Sequence, residues 1–213
     1  MAFITHCWKK LRLTLEGGAR FGACVCAWLL LVGLPAQAWA AADIEQLRIE
    51  RQDTALQLQV QLKLELAPAI EEALTKGVAV HFVAEAEVLR DRWYWYDRKL
   101  VQVSRHYRLA YQPLTRQWRL QVASEPIYSG GASSALAQTF ESLQAALDVI
   151  RRQSGWKVAE ASELDPEARQ YLVYRFRLDM SQLPRPFLIG AGNQSDWNLN
   201  LSRQLRIPAE ALH

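Results

Sequence analysis

The chain has 213 residues, half of them apolar, with 25 basic against 22 acidic side chains and three cysteines. The surplus of three positive charges lies within the first 40 residues, and the neutral remainder carries no electrostatic case for nucleic acid or an anionic membrane. Cys7, Cys24 and Cys26 all sit near the N-terminus, so the remainder can form no disulfide and hold no thiolate-bound metal.

Lys9, Lys10, Arg12 and Arg20 precede the apolar run FGACVCAWLLLVGL from Phe21 to Leu34, which Pro35 ends. Ala38 and Ala40 then supply the small residues of a cleavage site, with the cut before Ala41. This is the layout of a secretory signal peptide over 1–40. The run has 14 residues, whereas a spanning helix needs about 20. An uncleaved membrane anchor is the alternative. A lipoprotein would need a Cys just past the run, where none stands. Cleavage also removes four cations and Glu16, which leaves 21 basic and 21 acidic residues. The expectation is a neutral, periplasmic, single β-rich domain over 41–213, about the size of one ordinary core.

LQLQVQLKLEL alternates from Leu56 to Leu66 with one apolar face, the signature of a half-buried antiparallel strand. IEQLRIER before it is a candidate partner, turned at Gln52–Asp53. Pro68 opens a short helix, PAIEEALTKG, that Lys76 and Gly77 stop. Strand 78–89 follows, with Val78, Val80, Phe82, Ala84, Ala86 and Val88 on one face. Strands 100–111 and 116–123 fold through QPLTRQ so that Tyr111 meets Trp118 and Leu109 meets Leu120. EPIYSGGASSA, 125–135, reads as a flexible Gly/Ser loop. Ser142 caps a second helix carrying Leu143, Ala146, Leu147 and Ile150, which Gly155 ends. Strand 170–180 points Leu172, Tyr174, Phe176, Leu178 and Met180 inward. Pro184 and Pro186 keep the next stretch out of a sheet centre. A last strand, 196–207, shows Trp197, Leu199 and Leu201 on one face. The fold class expected is mainly β: an antiparallel sandwich of about seven strands with two short helices, or else a strongly β α+β domain.

EEALTKGVAVHFVAEAEVLRDRWYWYDRK, SRHYRLAYQPLTRQWRL, FESLQAALDVIRRQSGW, RFRLDMSQLPRPF and SDWNL resemble, in that order, the blocks of the domain of unknown function family 4390. The resemblance covers about 44–207, and its RWYW and LTRQWRL blocks are specific. It implies an exported, non-enzymatic protein of proteobacteria with no catalytic residues. It also implies a membrane sensor kinase of the nitrogen-regulation type as a candidate partner. The Gly/Ser stretch at 129–134 looks longer than the family carries there, as suits a surface loop.

Two constellations hold candidate chemistry. His81, Glu85 and Glu87 share the polar face of strand 78–89. His81 lies about 13 Å from Glu85, too far to share an ion, while the carboxylates, about 7 Å apart, could flank a small ligand. The plainer reading is a solvated face with Glu87 paired to Arg108 across the hairpin. No zinc-ligand spacing, nucleophile triad or phosphate loop is legible, so no metal, cofactor or enzyme activity is assigned. GAGNQSD at 190–196 has two glycines but no following helix. His106 reads as a hydrogen-bonded structural residue.

The other constellation is RDRWYWYDRK, 90–99. A loop at 97–99 pairs Trp95 with Val101, Trp93 with Val103 and Asp91 with Arg105, but needs a β-bulge near 89–92. Trp93 and Trp95 then share the core-side face, with Tyr94 and Tyr96 on the other. Arg92, Trp93, Tyr94, Trp95, Tyr96 and Arg98 form the candidate surface for a partner or ligand, because Arg with aromatics is the composition of binding hot spots. Three readings stay open: structural packing, a protein contact, and a small apolar or carbohydrate ligand.

Overall fold

In the computed structural model, which describes residues 42–92, 97–127, 136–184 and 197–211, the alternating sequences become two antiparallel sheets. The stretch 1–40 expected to be a signal peptide, Trp93 to Tyr96, the stretch 128–135 and GAGNQSD fall outside those residues. Among the described residues no helix is long and apolar enough to cross a membrane.

β1 (Ala42–Gln52) and β2 (Ala55–Leu64) form the first hairpin. It turns at Asp53–Thr54, one residue later than expected, and Asp53 takes φ 55, which its short polar side chain tolerates. Leu56, Leu58, Val60, Leu62 and Leu64 are all buried, while Gln59, Gln61 and Lys63 face outward. α1 (Pro68–Thr75) buries Ile70, Ala73 and Leu74, and Gly77 (φ 83) lets the chain reverse.

β3 (Val80–Arg90), β4 (Arg98–Gln112), β5 (Gln117–Ala123) and β6 (Leu136–Phe140) then run as a meander. The β4–β5 register sets Tyr111 against Trp118 and Leu109 against Leu120, as the matching apolar faces require. α2 (Leu143–Arg151) starts where Ser142 Oγ accepts the N–H of Ala145 at 3.2 Å.

Gly155 does not end this helix. The chain leaves it at Arg152 directly into β7 (Arg152–Glu160), which pairs with β2. Gly155 lies inside β7 with φ 60, where the ladder slips between the Leu58 and Val60 pairs. β8 (Gln170–Leu178) then lies beside β3, and β9 (Asn200–Arg206) beside β8. The sheets therefore run β1-β2-β7 and β6-β5-β4-β3-β8-β9.

β6 and β7 raise the described strands above the seven expected. LAQTF is too short to show a period. RQSGWKVAE hides its inward face behind a bulge, with Trp156 and Val158 buried only beyond it.

Trp156 of β7 meets Tyr174 of β8 edge-on at 6.4 Å between the two sheets, and within the larger sheet Phe82 of β3 stacks on Phe176 of β8 at 5.7 Å. Arg203 of β9 reaches Asp43 of β1 at 3.7 Å on another border of the sandwich. Met180, expected inward, is 43 % exposed because Asp179 caps a short 3-10 turn and ends the strand at Leu178. The last strand likewise begins at Asn200 rather than Asp196, although Trp197 is still buried.

Candidate functional site

β3 lies at the middle of the larger sheet and is buried on both faces. Its outer face carries His81, Val83, Glu85 and Glu87, covered by side chains from β4 and β8. The expected Glu87–Arg108 pair is not formed. Arg108 stands opposite His81, and Glu87 opposite Gln102, because the ladder closes at Arg90–Arg98 and leaves 91–97 as a connection.

Glu87 instead accepts hydrogen bonds from Lys99 Nζ at 2.7 Å and from Arg175 Nη1 at 2.8 Å. Glu85 accepts one from Arg177 Nη2 at 3.0 Å. The bond from Lys99, with Arg175 beyond it, outweighs burial and holds the Glu87 carboxyl below the ordinary carboxylate range. Burial, with Arg108 nearby, pushes His81 down, and burial also pushes His106 down. Arg108 Nη1 donates to Gln121 Oε1 at 3.0 Å. The cluster is a ladder of ion pairs that ties β8 to β3. Among the described residues no group of three His, Cys, Asp or Glu is placed to hold a metal.

The hairpin does contain a register shift, between Val88 and Leu89. The extra residue is Leu100 on β4, however, not a residue of 89–92. The pairs expected for the aromatic segment are therefore replaced: Val101 faces Val88, Val103 faces Ala86 and Arg105 faces Ala84. Arg105 points between the sheets, its guanidinium 5.0 Å from the Trp156 ring centroid. Asp91 does not meet Arg105; its N–H donates to the Arg169 carbonyl at 3.0 Å.

At the other end of the connection, the Tyr171 hydroxyl donates to Asp97 Oδ2, and this bond raises the phenol pKa to about 12. Arg90, opposite Arg98 in the last pair of the ladder, is neutralised by Asp165. Both ends of 91–97 are thus fastened to β8 and the residues just before it.

Trp93, Tyr94, Trp95 and Tyr96 lie between those fastened ends, outside the described residues. Arg92 and Arg98 are exposed at the two ends, and neither has a carboxylate partner among the described residues. Beside the connection opens a cleft of ≈ 220 Å³ lined by Asp91, Arg169, Gln170, Tyr171, Gln204 and Arg206. A second cleft of ≈ 500 Å³ shares Arg169, Gln170 and Arg206. Sequence reading missed Tyr171, Arg169 and Asp165, because nothing local to β8 marks them as partners of a loop so far upstream.

No curated protein and no solved structure matches this chain. The family model described as a domain of unknown function, DUF4390, matches residues 40–206, and the chain therefore belongs to the DUF4390 family.

Proposed function

We infer that the protein is an exported, non-enzymatic interaction module of the periplasm, which meets an envelope protein through the 91–97 connection and the cleft beside it. The observation that carries this reading is the double fastening: Asp91 to Arg169 at one end and Asp97 to Tyr171 at the other. Between those fastened ends the sequence runs Trp93, Tyr94, Trp95, Tyr96, with Arg92 and Arg98 flanking it and Arg169 and Arg206 in the adjoining cleft. Aromatic and arginine side chains are the composition of binding hot spots, and a connection anchored at both ends has less chain entropy to lose on binding. A membrane sensor kinase is the partner to test first.

The small-ligand reading places an apolar or carbohydrate molecule between sheet and helix. That position is occupied by the fully packed side chains of Ala146, Leu147 and Ile150. The surface reading is therefore preferred, with the ≈ 220 Å³ cleft left as the place for a carbohydrate.

The test is in-cell photo-crosslinking from positions 92, 94 and 96, with position 114 on the β4–β5 turn as control. The expected product is one envelope protein captured from the first three positions and not from the control, and lost in Asp97→Asn. The same product from position 114, or none from any position, would refute the reading. N-terminal sequencing of the mature protein checks export separately, with Ala41 expected first.

A further inference from the structure

Among the described residues the sheets end in four edge strands: β1 and β7 on the smaller sheet, β6 and β9 on the larger. An edge offers unpaired N–H and C=O groups to any other chain, and proteins normally block it with charge, bulges or cover. Three of the four are blocked here. β1 carries a register shift at Ile44/Gln46. Arg203 of β9 reaches over it to the Glu45 carbonyl at 3.4 Å and to Asp43. β9 itself bears Arg203 and Arg206. β7 is interrupted by two register shifts and bears Arg152 and Lys157.

β6 has none of these devices. Leu136–Phe140 reads Leu-Ala-Gln-Thr-Phe, without charge, Pro or Gly, and pairs with β5 through five consecutive residues without a shift. Its first four residues are exposed, Leu136 to 73 %. Among the described residues nothing pairs with its outer side.

We propose that the β6 edge is a self-association site, at which a second copy of this chain adds antiparallel across a twofold axis centred on Gln138. The pattern of the strand names the occupant. Leu136, Gln138 and Phe140 share one face, the one that continues buried Leu120 and Trp118 of β5. Antiparallel pairing about Gln138 sets Leu136 opposite Phe140 of the second copy, and Gln138 opposite its own counterpart. Ala137 then meets Thr139. An aliphatic–aromatic pair repeats on each side of an amide pair, and no like charges face one another. The equal numbers of acidic and basic residues in 41–213 add no long-range repulsion between copies. The two larger sheets would join into one.

Five residues span about 17 Å of strand, and such a contact is smaller than the interfaces of tight complexes. Association is therefore expected in the micromolar range or weaker. The measurement is sedimentation velocity on the protein expressed from its full-length coding sequence, from low micromolar to near-millimolar concentration. A reversible monomer–dimer equilibrium is expected. Gln138→Lys, at an exposed position, places two ammonium groups face to face and is expected to weaken the dimer at least tenfold, with an unchanged melting temperature at low concentration. Mixing it with Gln138→Glu is expected to restore a heterodimer at least as tight as the wild type. That mixture also guards against misreading a folding defect, because an unfolded variant cannot be rescued by its charge complement. A protein that stays monomeric throughout would overturn the proposal. So would a dimer that Gln138→Lys leaves intact, or a mixture with no restored dimer.

Discussion

Glu87→Gln tests whether the ladder on the outer face of β3 holds the sheet together. The Glu87 side chain is 8 % exposed and takes two charge-assisted hydrogen bonds, whereas Lys99 and Arg175 are 48 % and 41 % exposed. The amide that replaces it can still accept one bond, but neutrally. A bond to a charged group contributes about 1.5–3 kcal/mol when well buried. Both cations here regain water when released, which discounts the loss toward the range of surface pairs. The expected cost is about 1–2 kcal/mol, or a fall in Tm of roughly 3–6 °C for a domain of this size. The pH dependence supplies the sharper check. The folded carboxyl titrates below its ordinary 4.5, so its contribution is complete above that value and is lost as pH falls through the folded value. Gln does not titrate, so the gap between wild type and variant should close in acid. Differential scanning calorimetry of both proteins at neutral pH and near pH 3 reads it directly. A gap that is absent at neutral pH, or that persists unchanged in acid, would refute the reasoning.

The Tyr171–Asp97 clasp predicts that Tyr171 ionises near pH 12 in an ultraviolet titration and moves back toward 10 in Asp97→Asn, whereas Tyr107 and Tyr174, which burial pushes up, stay late in both proteins. A titration that Asp97→Asn leaves unchanged would mean that the clasp is open in solution. Ser142→Ala removes the bond to the Ala145 N–H and should cost about 1 kcal/mol in urea unfolding, whereas Ser142→Gly should cost only a few tenths. Phe176→Ala empties a fully buried position stacked on Phe82 and should cost about 3–5 kcal/mol. Tyr174→Phe, in contrast, removes a buried hydroxyl and should change stability by about 1 kcal/mol or less.

Much of the fold was legible in the chain because its determinants are local. The alternation of β2 names its buried face without reference to any partner. Ser142 caps α2 through a residue three positions away. β4 and β5 are joined by a short turn, and only one register aligns both apolar faces, so Tyr111–Trp118 follows from the sequence. The bulge expected at 89–92 was not legible correctly: the shift falls between Val88 and Leu89 with Leu100 of β4 as the extra residue, and neither of the two registers it was meant to reconcile is formed.

What tertiary structure alone decided lies where the partner is distant or where burial has two sides. β3 has neighbours on both edges, and the cations that satisfy Glu85 and Glu87 come largely from β8, 92 and 88 positions on. A β3–β4 register argued from that hairpin alone therefore matched Glu87 to the wrong arginine. β7 was missed because its bulge breaks the alternation that would have shown it, and the strand that needs it, β2, is far upstream. The clasp between Asp97 and Tyr171 spans 74 positions and is created only when β8 docks beside β3. Periodicity records which face of an element avoids water. It does not record which distant element will cover that face, and that pairing brings the candidate site together.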